Sequence, residues 1–515
     1  MKHLILTILS IVTFATCASA QLTEQQQIQK LNLVYQHLRN HYVDDVSLEP
    51  LVDEAIKATL KELDPHSQYL TRKEMEQLRA RINGKFAGVG IRYIMHNDTL
   101  VVRSIIPNSP ASKLGIMPND RITKVDNRSI TGMSSDSVAM LLRGDVGSNL
   151  SLSIIRKGEG NTLTINLKRA NIESSAISAS YRIGDVGYIG ISSFSKPMPN
   201  EFYYAYKALG DIKSLIIDLR DNSGGAITSA IDLSSMFLTK GDLIVSTEGK
   251  AHDEAHYKRQ DRLSLTTPLV VVINENSASA SEIFAGAIQD HDRGVVIGRT
   301  SYGKGLVQRI IDLKDGSGMT ITIARYKTPS GRTIQRPYEM GKGDEYRENK
   351  VRYMHPDSIP HDSDLIYRTL RNGRKVYGGG GITPDIYIVP DSINLSSSII
   401  KAHNSAMFEH AIIDYLDIED IEQLKEKHPT IEEFSKEYML DTKLLNIFHG
   451  YIGEVELTDV DKAFINCTLR SLVAEHLYGS DARNYIYGID FDYTLQQAFT
   501  ISTDEERMRT TLMTH

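Results

Sequence analysis

Runs of mostly apolar residues recur through the middle of the chain, and turns and stretches with helical spacing separate them. The runs lie at 186–191, 214–219, 269–273 and 294–297, and helical stretches at 200–209, 226–238 and 281–290 alternate with them. A run without polar alternation fits a strand that is covered on both faces. Because strands separated by helices join as parallel neighbours, residues 171–390 are predicted to form an α/β core with a mixed, largely parallel sheet and helices.

Short strands replace these runs in residues 86–170. Strands are predicted at 101–106, 120–125, 150–155 and 162–167, with a short helix at 135–142. The last two strands alternate apolar and polar residues, which is typical of a sheet with one solvated face. These 85 residues are therefore predicted to form a compact β module inserted before the α/β core.

Both ends of the mature chain are predicted to be helical. In residues 21–85, apolar positions such as Ile28, Leu31 and Val34 recur at helical spacing. Residues 391–515 are helical and rich in charge, and they carry no chemical motif. This C-terminal region is a candidate for packing on the core or for mediating a homodimer. Cys467 lies within it and is predicted to be a small core residue.

The first twenty residues are predicted to be a signal peptide. Lys2 precedes an apolar run at 4–18, and the small residues Ala18 and Ala20 mark a cleavage site. The run is too short to span a membrane comfortably. The prediction is an exported, periplasmic protein, and the alternatives are outward secretion and a lipoprotein anchored through Cys17.

Charge and metal-ligand patterns limit what the chain binds. The formal net charge is −7, so no overall basic field favours nucleic acid. Cleavage of the signal peptide leaves Cys467 as the single cysteine, which excludes an internal disulfide and a cysteine-based zinc site. No His-Glu-x-x-His motif occurs. The sequence therefore implies no metal and no organic cofactor.

A glycine pair follows the second apolar run. The segment 218–225 (Asp-Leu-Arg-Asp-Asn-Ser-Gly-Gly) ends on Gly224 and Gly225. Glycines at the carboxyl end of a strand let backbone N–H groups turn toward a ligand, as an oxyanion hole requires. Spacing alone favours the simpler alternative, which is a tight turn from strand to helix.

Three serines follow the third apolar run. Ser277, Ser279 and Ser281 lie in the segment 274–282, where a strand leads into a helix. A serine at such a junction is exposed, and the helix N-terminus favours developing negative charge. Taken alone, the segment favours helix capping by one of the three serines, with Glu282 in the first turn.

A lysine between two glycines forms the third candidate segment, at 303–308 (Gly-Lys-Gly-Leu-Val-Gln). Burial of Lys304 would lower its pKa, and a neutral amine can take a proton from a serine. Gln308, four residues on, is placed to orient that amine. The simple alternative is a solvated loop lysine.

Three other interpretations overlap this region. Residues 298–305 nearly match a phosphate-binding loop, but Gly305 replaces the Ser or Thr that binds Mg²⁺, and a strand is predicted at 306–313 where a helix is needed. Ser301 and Lys304 match a loose Ser-x-x-Lys pattern that lacks its partner motifs. A Ser-His-Asp triad that uses His291 stays open, although nothing in the pattern favours it.

Together these segments resemble the carboxy-terminal processing (tail-specific) proteases, which are serine proteases with a PDZ domain. The motifs at 276–282 and 303–308 carry most of the resemblance, and those at 63–67 (Leu-Asp-Pro-His-Ser), 218–225, 326–332 and 381–385 add to it. It covers about residues 30–390. Asp221 and Ser223 depart from the commonest residues of the family, but the glycine pair is kept. The resemblance implies that residues 86–170 are the PDZ domain.

The resemblance also implies a role for individual residues. Ser279 would be the nucleophile, Lys304 the general base, and Gln308 the residue that positions the lysine. The oxyanion hole would use the backbone N–H groups of Ala280 and Gly225, with Gly224 as the alternative. The C-terminal carboxylate of a substrate would bind the loop formed by Gly88, Val89, Gly90 and Ile91.

The function implied is that of an exported serine endopeptidase. It would bind the C-terminal tails of protein substrates through the PDZ domain and cleave them with a Ser-Lys dyad through an acyl-enzyme, in processing or degrading envelope proteins. An adaptor protein is a further candidate partner. The rival hypothesis is a peptide-binding scaffold with an inactive core, and a gated enzyme whose dyad is aligned by the PDZ domain or a partner lies between the two. The intact Ser279, Lys304 and Gln308 argue against the scaffold.

Overall fold

The computed structural model describes residues 23–250, 252–259, 263–348, 365–389, 394–419 and 421–513. The predicted signal peptide at 1–20, with Cys17, lies outside the described residues. Among the described residues, no helix is both long enough and apolar enough to cross a membrane.

The N-terminal region is helical, as predicted, but it also contains one short strand. Its elements are α1 (Glu24–His41), α2 (Leu48–Lys61), β1 (Gln68–Leu70) and α3 (Arg72–Asn83). The strand was not predicted, because three residues are too few to show an alternating pattern. β1 pairs with residues 318–320 of a distant strand and so fixes this region to the core.

The β module forms a separate antiparallel sheet with its own hydrophobic core. Its elements are β2 (Lys85–Gly88), β3 (Ile91–His96), β4 (Thr99–Ile105), α4 (Pro110–Lys113), β5 (Arg121–Val125), β6 (Arg128–Ser129), α5 (Ser135–Leu142), β7 (Asn149–Ile155), β8 (Leu163–Lys168) and β9 (Ala170–Glu173). The strand order is β3-β4-β5-β7-β8, with β6 on β5. Leu100, Val102 and Ile154 are fully buried in its centre. β2 and β9 pair as a two-stranded stem at the junction with the rest of the chain.

The α/β core confirms the predicted mixed, largely parallel sheet. Its elements are β10 (Ile177–Ile183), β11 (Val186–Ile191), α6 (Met198–Ala208), β12 (Ser214–Asp218), α7 (Ile227–Ser235), β13 (Leu243–Gly249), β14 (His252–Lys258), β15 (Leu269–Ile273), α8 (Ala280–Asp290), β16 (Val295–Gly298), β17 (Leu306–Asp312), β18 (Gly318–Lys327), α9 (Gly343–Glu348), β19 (Ile366–Arg368), β20 (Lys375–Tyr377) and β21 (Ile386–Tyr387). The main sheet has the order β10-β11-β12-β15-β16-β21, and within it only β10 runs antiparallel to its neighbour. Every residue of β11, β12, β15 and β16 is buried, as their continuous apolar runs predict.

A second, antiparallel sheet lies beside the main one. β18 is its longest strand, with β17 along one edge and β1 and β13 along the other, and β14 extends the sheet beyond β13. β17 confirms the strand predicted after Lys304. This sheet joins the N-terminal region to the core through β1, and it carries Gln308 and the end of the loop that contains Lys304.

The C-terminal region is an array of helices. They are α10 (Ser397–Asn404), α11 (Met407–Ile418), α12 (Glu422–Lys427), α13 (Ile431–Glu437), α14 (Thr442–Ile452), α15 (Asp459–Tyr478), α16 (Ser480–Asp490), α17 (Tyr493–Thr503) and α18 (Glu505–Met513). Side chains from one face of the main sheet, such as Ile216 and Val270, share a core with Phe408 and Leu469 of these helices. Side chains from the other face share a core with α6, α7 and α8. Cys467 is buried, as predicted.

The same C-terminal helices also hold the β module. Polar contacts join strands and loops of the module to α11 and α15, and they are His96–Asp414, Arg121–Asp417, Lys157–Leu416, Arg103–Glu475 and Asn119–His476. Of the two roles considered for residues 391–515, the structure shows packing on the core. The domain boundaries at 85/86, 170/171 and 390/391 and the homodimer stay predictions.

Candidate active site

Ser279 lies where β15 leads into α8, and its backbone is strained. Its φ is 56° and its ψ is −111°, a conformation that few residues other than glycine adopt. A strained turn between strand and helix is the way in which hydrolases expose a nucleophilic serine. Ser277 and Ser281 are occupied elsewhere, since their hydroxyls donate to the carbonyls of Leu219 and Asn222 at 2.7 and 2.9 Å. The geometry therefore separates Ser279 from its two neighbours.

The glycine pair packs directly against this serine. A Cβ on Gly224 would lie 2.9 Å from both Ala280 N and Ser279 Cβ, and Gly224 has a φ of +98°. A Cβ on Gly225 would lie 2.4 Å from the carbonyl oxygen of Phe194. A side chain at Gly224 would push the glycine pair away from the serine segment, and one at Gly225 would collide with the backbone of Phe194, so both positions require glycine.

The backbone hydrogen bonds favour Gly225 over Gly224 as an oxyanion donor. The N–H of Gly224 already donates to Asn222 Oδ1 at 2.9 Å. Within the described chain, the N–H groups of Gly225 and Ala280 have no acceptor. They lie on the two segments that meet beside Ser279, so both are available to a developing oxyanion.

Asp221, one of the residues that depart from the family pattern, ties the two segments together. Its carboxylate accepts from the side-chain amides of Asn274 and Asn276 at 3.0 and 2.6 Å. Its own N–H donates to Asn274 Oδ1. Asp221 therefore connects the segment of the glycine pair to the segment that precedes Ser279.

Lys304 is partly buried beside Gln308. Its Nζ donates to Gln308 Oε1 at 2.7 Å, and Gln308 Nε2 donates to the carbonyl oxygen of His66 at 2.6 Å. Burial lowers the pKa of Lys304, and the negative charges of Glu282 and Asp64 oppose that shift. The described hydrogen bonds of Nζ reach Gln308, and none of them joins it to Ser279. Because the next element is the strand β17, the phosphate-binding interpretation of residues 298–305 is wrong.

Glu282 links the serine and the lysine, although only a capping role was predicted for it from the sequence. This fully buried carboxylate accepts four hydrogen bonds, which come from Ser279 N (2.8 Å), Lys304 N (2.9 Å), Gly303 N (2.7 Å) and Ser301 Oγ (2.5 Å). Burial raises the pKa of Glu282, although all four bonds favour the ionised form. The pattern Ser-x-x-Glu does signal a capping box, and the structure shows that Glu282 also reaches the lysine loop.

Tyr326 makes a second link between the same two segments. Its hydroxyl donates to the carbonyl oxygens of Ser279 and Lys304 at 3.2 and 2.8 Å. Glu282 therefore holds the backbone N–H groups of the two residues, and Tyr326 holds their carbonyls. The four bonds fix the backbone of the serine relative to that of the lysine.

The other candidates for a nucleophile or base lie elsewhere or are already bonded. His291 caps the far end of α8, an 11-residue helix that is roughly 16 Å long, and it contacts the carbonyl of Leu243. A triad of Ser279 with His291 is therefore excluded. The Ser301 hydroxyl donates to Glu282 and accepts from Ile382 N, so it serves the loop structure.

The predicted carboxylate-binding loop of the β module joins β2 to β3. The carbonyls of Val89 and Gly90 accept from Ala111 N and Ile106 N at 3.0 and 2.9 Å. Because a trans peptide points its N–H opposite to its C=O, the N–H groups of Gly90 and Ile91 face away from those partners. Gly90 has a φ of +87°, and a Cβ there would overlap Ser109. The loop thus presents amides on one side, as carboxylate binding requires.

Comparison with known proteins connects this geometry to a family. The model of peptidase family S41 matches residues 185–340, and that of the PDZ domain matches residues 87–167. A carboxy-terminal-processing protease of Bartonella bacilliformis is 36% identical over 319 residues, which cover 60% of this chain and 73% of that protein. The carboxy-terminal processing protease CtpA of Bacillus subtilis is 33% identical over 360 residues, covering 69% and 75%.

One solved structure is similar over most of its length. The photosystem II D1 C-terminal processing protease is 26% identical, with a TM-score of 0.36, and the match covers 70% of this chain and 87% of that one. Within this chain, the segments 218–225, 274–282 and 303–308 all fall inside the range that matches peptidase family S41.

Proposed function

This chain belongs to the carboxy-terminal processing proteases of peptidase family S41 and is a serine-type peptidase with a PDZ domain, and from that premise we propose that Ser279 and Lys304 form its catalytic dyad. One observation carries the proposal. The strained Ser279 and the partly buried Lys304 are held by the same carboxylate, that of Glu282. A lysine in this environment has the lowered pKa that a general base for a serine needs.

The reaction follows from these groups. Neutral Lys304 Nζ takes the proton of Ser279 Oγ as that oxygen attacks the scissile carbonyl carbon. The N–H groups of Gly225 and Ala280 stabilise the oxyanion, and the protonated lysine then returns its proton to the leaving amine. Water then attacks the resulting ester of Ser279, Lys304 takes a proton from that water, and the proton returns to Ser279 Oγ as the acid product leaves. Gln308 keeps the lysine in place throughout.

The pH dependence of cleavage tests the base. Only the neutral amine accepts a proton, and burial lowers the pKa of Lys304, so kcat/KM should rise with pH and level off below the range where an exposed lysine titrates. The measurement is kcat/KM on an unfolded protein substrate between about pH 6 and pH 10. Lys304→Arg is the matched variant, because arginine stays protonated and should be inactive throughout. A profile that is flat or falls with pH would contradict the assignment.

Substrate selection is proposed to use the PDZ loop Gly88, Val89, Gly90 and Ile91. An extended tail would add to the edge of β3 and place its carboxylate on the amides of Gly90 and Ile91. The tail would then lead the substrate to Ser279. Apolar tails fit best, because Ile91 of the loop itself is a partly buried apolar side chain that packs against the core of the module.

A matched pair of substrates tests this recognition. One ends in a free carboxylate after an apolar tail, and the other has the same sequence with a C-terminal amide. Losing charge-assisted hydrogen bonds costs about 1.5–3 kcal/mol, so kcat/KM should fall on the order of 10- to 100-fold for the amide. The two peptides should be cleaved at the same bond, which serves as the internal control. Equal rates for the pair would rule out carboxylate recognition.

We propose that the protein acts on other proteins of the cell envelope. The predicted signal peptide favours export, with the periplasm as the compartment and envelope proteins as substrates for processing or degradation. An adaptor and a second copy of the chain are the partners proposed beside the substrate. The rival scaffold hypothesis would need an inactive core, whereas Ser279, Lys304, Gln308 and the glycine pair are all present.

A further inference from the structure

The turn at residues 63–67 precedes the peptidase core in the sequence. It is connected to the proposed base, Lys304, through the side chain of Gln308. Its own geometry is set by Asp64, which is 8% exposed. Asp64 Oδ1 accepts from the N–H groups of His66 and Ser67, both at 2.9 Å, and Oδ2 accepts from Ser67 Oγ at 2.5 Å. One carboxylate thus determines the conformation of the whole turn.

A second set of contacts anchors the turn on the antiparallel sheet. Ser67 Oγ accepts from Thr322 N at 3.1 Å, and the following residues pair with β18 in the register Gln68 to Thr320. Thr322 is also the partner of Gln308 across the β17–β18 ladder. The turn and the strand that carries Gln308 are therefore fixed to the same segment of β18.

From the turn, the carbonyl of His66 reaches Gln308. It accepts from Gln308 Nε2 at 2.6 Å, while Gln308 Oε1 accepts from Lys304 Nζ at 2.7 Å. An amide has one donor end and one acceptor end, so fixing the donor end on His66 directs the acceptor end to the lysine. If the Gln308 amide were flipped, its Nε2 would face Lys304 Nζ, and two donors would then oppose each other. The His66 carbonyl therefore selects the amide orientation that holds Lys304.

We propose that Asp64 and Ser67 are positioning residues for peptide cleavage, because they place the His66 carbonyl that orients Gln308 against Lys304. This inference rests on the proposed Ser-Lys dyad and extends it to the N-terminal region, which the resemblance left without a chemical role. The chain of contacts runs from Asp64 through His66 and Gln308 to Lys304. None of these links depends on the C-terminal region.

The charges around Lys304 fit this role. Glu282 and Asp64 are the two anions that raise the pKa of Lys304 against the effect of burial. Burial and the positive charge of Lys304 lower the pKa of His66 itself to about 4, so the imidazole is neutral while the enzyme works. Its ring packs against Tyr302 and Tyr346. His66 therefore contributes its carbonyl and adds no second cation beside the lysine.

The first test is Asp64→Asn, measured in the full chain on an unfolded protein substrate. Displacing an oriented catalytic group costs up to 100-fold, so kcat should fall on the order of 10- to 100-fold with KM changed by less than about twofold. Removing an anion that raises the pKa of Lys304 should also move the acid limb of the pH profile to lower pH. Asp315→Asn is the matched control, since Asp315 accepts from Ser317 N and Oγ in a similar turn at the far end of β17 and β18.

A double-mutant cycle shows whether the turn acts through the glutamine. In a Gln308→Ala background, Asp64→Asn should cost less than about twofold in kcat, because the contact through which it acts is gone. Should Asp64→Asn fold poorly, Ser67→Ala against Ser67→Thr keeps the test available. Threonine retains the hydroxyl that bonds Asp64 and should restore most of the activity lost in the alanine variant.

The possible results distinguish the role of the turn from the proposed Ser279–Lys304 dyad. Three results would each overturn the role of the turn while Ser279→Ala stays inactive. Asp64→Asn could lower kcat equally in the wild-type and Gln308→Ala backgrounds, Asp315→Asn could lower kcat as much as Asp64→Asn does, or the pH profile of Asp64→Asn could match that of the wild type. Activity that persists in Ser279→Ala would instead overturn the dyad on which the inference rests. A non-additive loss with the shifted acid limb supports the inference.

Discussion

Ser279→Ala is expected to abolish cleavage of an unfolded protein with an apolar tail, and Lys304→Ala is expected to do the same. Removing the nucleophile or its base in a serine protease costs on the order of 10⁴-fold or more in kcat. The two effects should not add, because each residue is useless without the other. The measurement is turnover of one substrate by wild type, both single variants and the double variant.

Folding must be shown to survive in these variants. Ser279→Ala keeps the backbone bonds to Glu282 and Tyr326, so its thermal midpoint should match that of the wild type. Lys304→Met keeps the apolar stem and removes a buried amine, and its stability should be equal or higher. His291→Gln is the matched control at the opposite end of α8 and should keep full activity. Retained activity in Ser279→Ala or Lys304→Ala would contradict the dyad, and a wild type that binds tails without cleaving them would favour the scaffold.

Much of the fold was predictable because burial leaves a pattern along the chain. Four strands of the main sheet, β11, β12, β15 and β16, are continuous apolar runs, and β11 and β15 were predicted to the residue. The strands β13 and β18 of the second sheet were missed, since they mix buried and exposed residues and β18 ends on charged Arg325 and Lys327. Half-exposed strands without strict alternation have no clear signature in a single sequence.

The candidate site was predictable in its motifs and less so in its supporting contacts. Spacing alone favoured helix capping by one of the three serines, and only the resemblance to the family implied that Ser279 is the nucleophile. The bond from Gln308 to His66 spans 242 positions, and the bonds from Glu282 to the lysine loop span about twenty. Such side-chain contacts leave no periodic pattern, because they depend on how the two sheets meet.

The C-terminal helices show how a region without a motif reaches the site. Arg220, within the segment 218–225 that ends on the glycine pair, donates to Asp218 and also to both carboxylate oxygens of Asp492, at 3.0 and 2.7 Å. Other helices of the same region hold the PDZ domain through Asp414, Asp417 and Glu475. The region therefore connects the PDZ domain to the strand end that precedes the glycine pair.

Glu282→Gln is expected to reduce kcat on the order of 10- to 100-fold and to lower the free energy of unfolding by about 1–3 kcal/mol. Glutamine keeps one acceptor, but its amide nitrogen faces donors that the carboxylate accepted from. The Ser301 hydroxyl can accept a hydrogen bond instead of donating one, so the amide nitrogen of the introduced glutamine is expected to face Ser301. The N–H of Gly303, which donates to the same carboxylate oxygen in the wild type, then has no acceptor. Glu282→Ala leaves all four donors unsatisfied and should cost at least about 3–5 kcal/mol.

The pH profile distinguishes catalytic positioning from simple loss of stability. The charge of Glu282 raises the pKa of Lys304, so Glu282→Gln should move the acid limb of kcat/KM to lower pH, whereas a purely structural defect would scale the profile without moving it. Glu275→Gln is the matched control, because Glu275 lies in the turn that leads into α8 and pairs with Arg299. It should leave the midpoint unchanged. If Glu282→Gln keeps the wild-type kcat and the acid limb of its kcat/KM profile does not move, the serine and lysine segments keep their geometry without this carboxylate. Tyr326 would then be the contact that holds the two segments together.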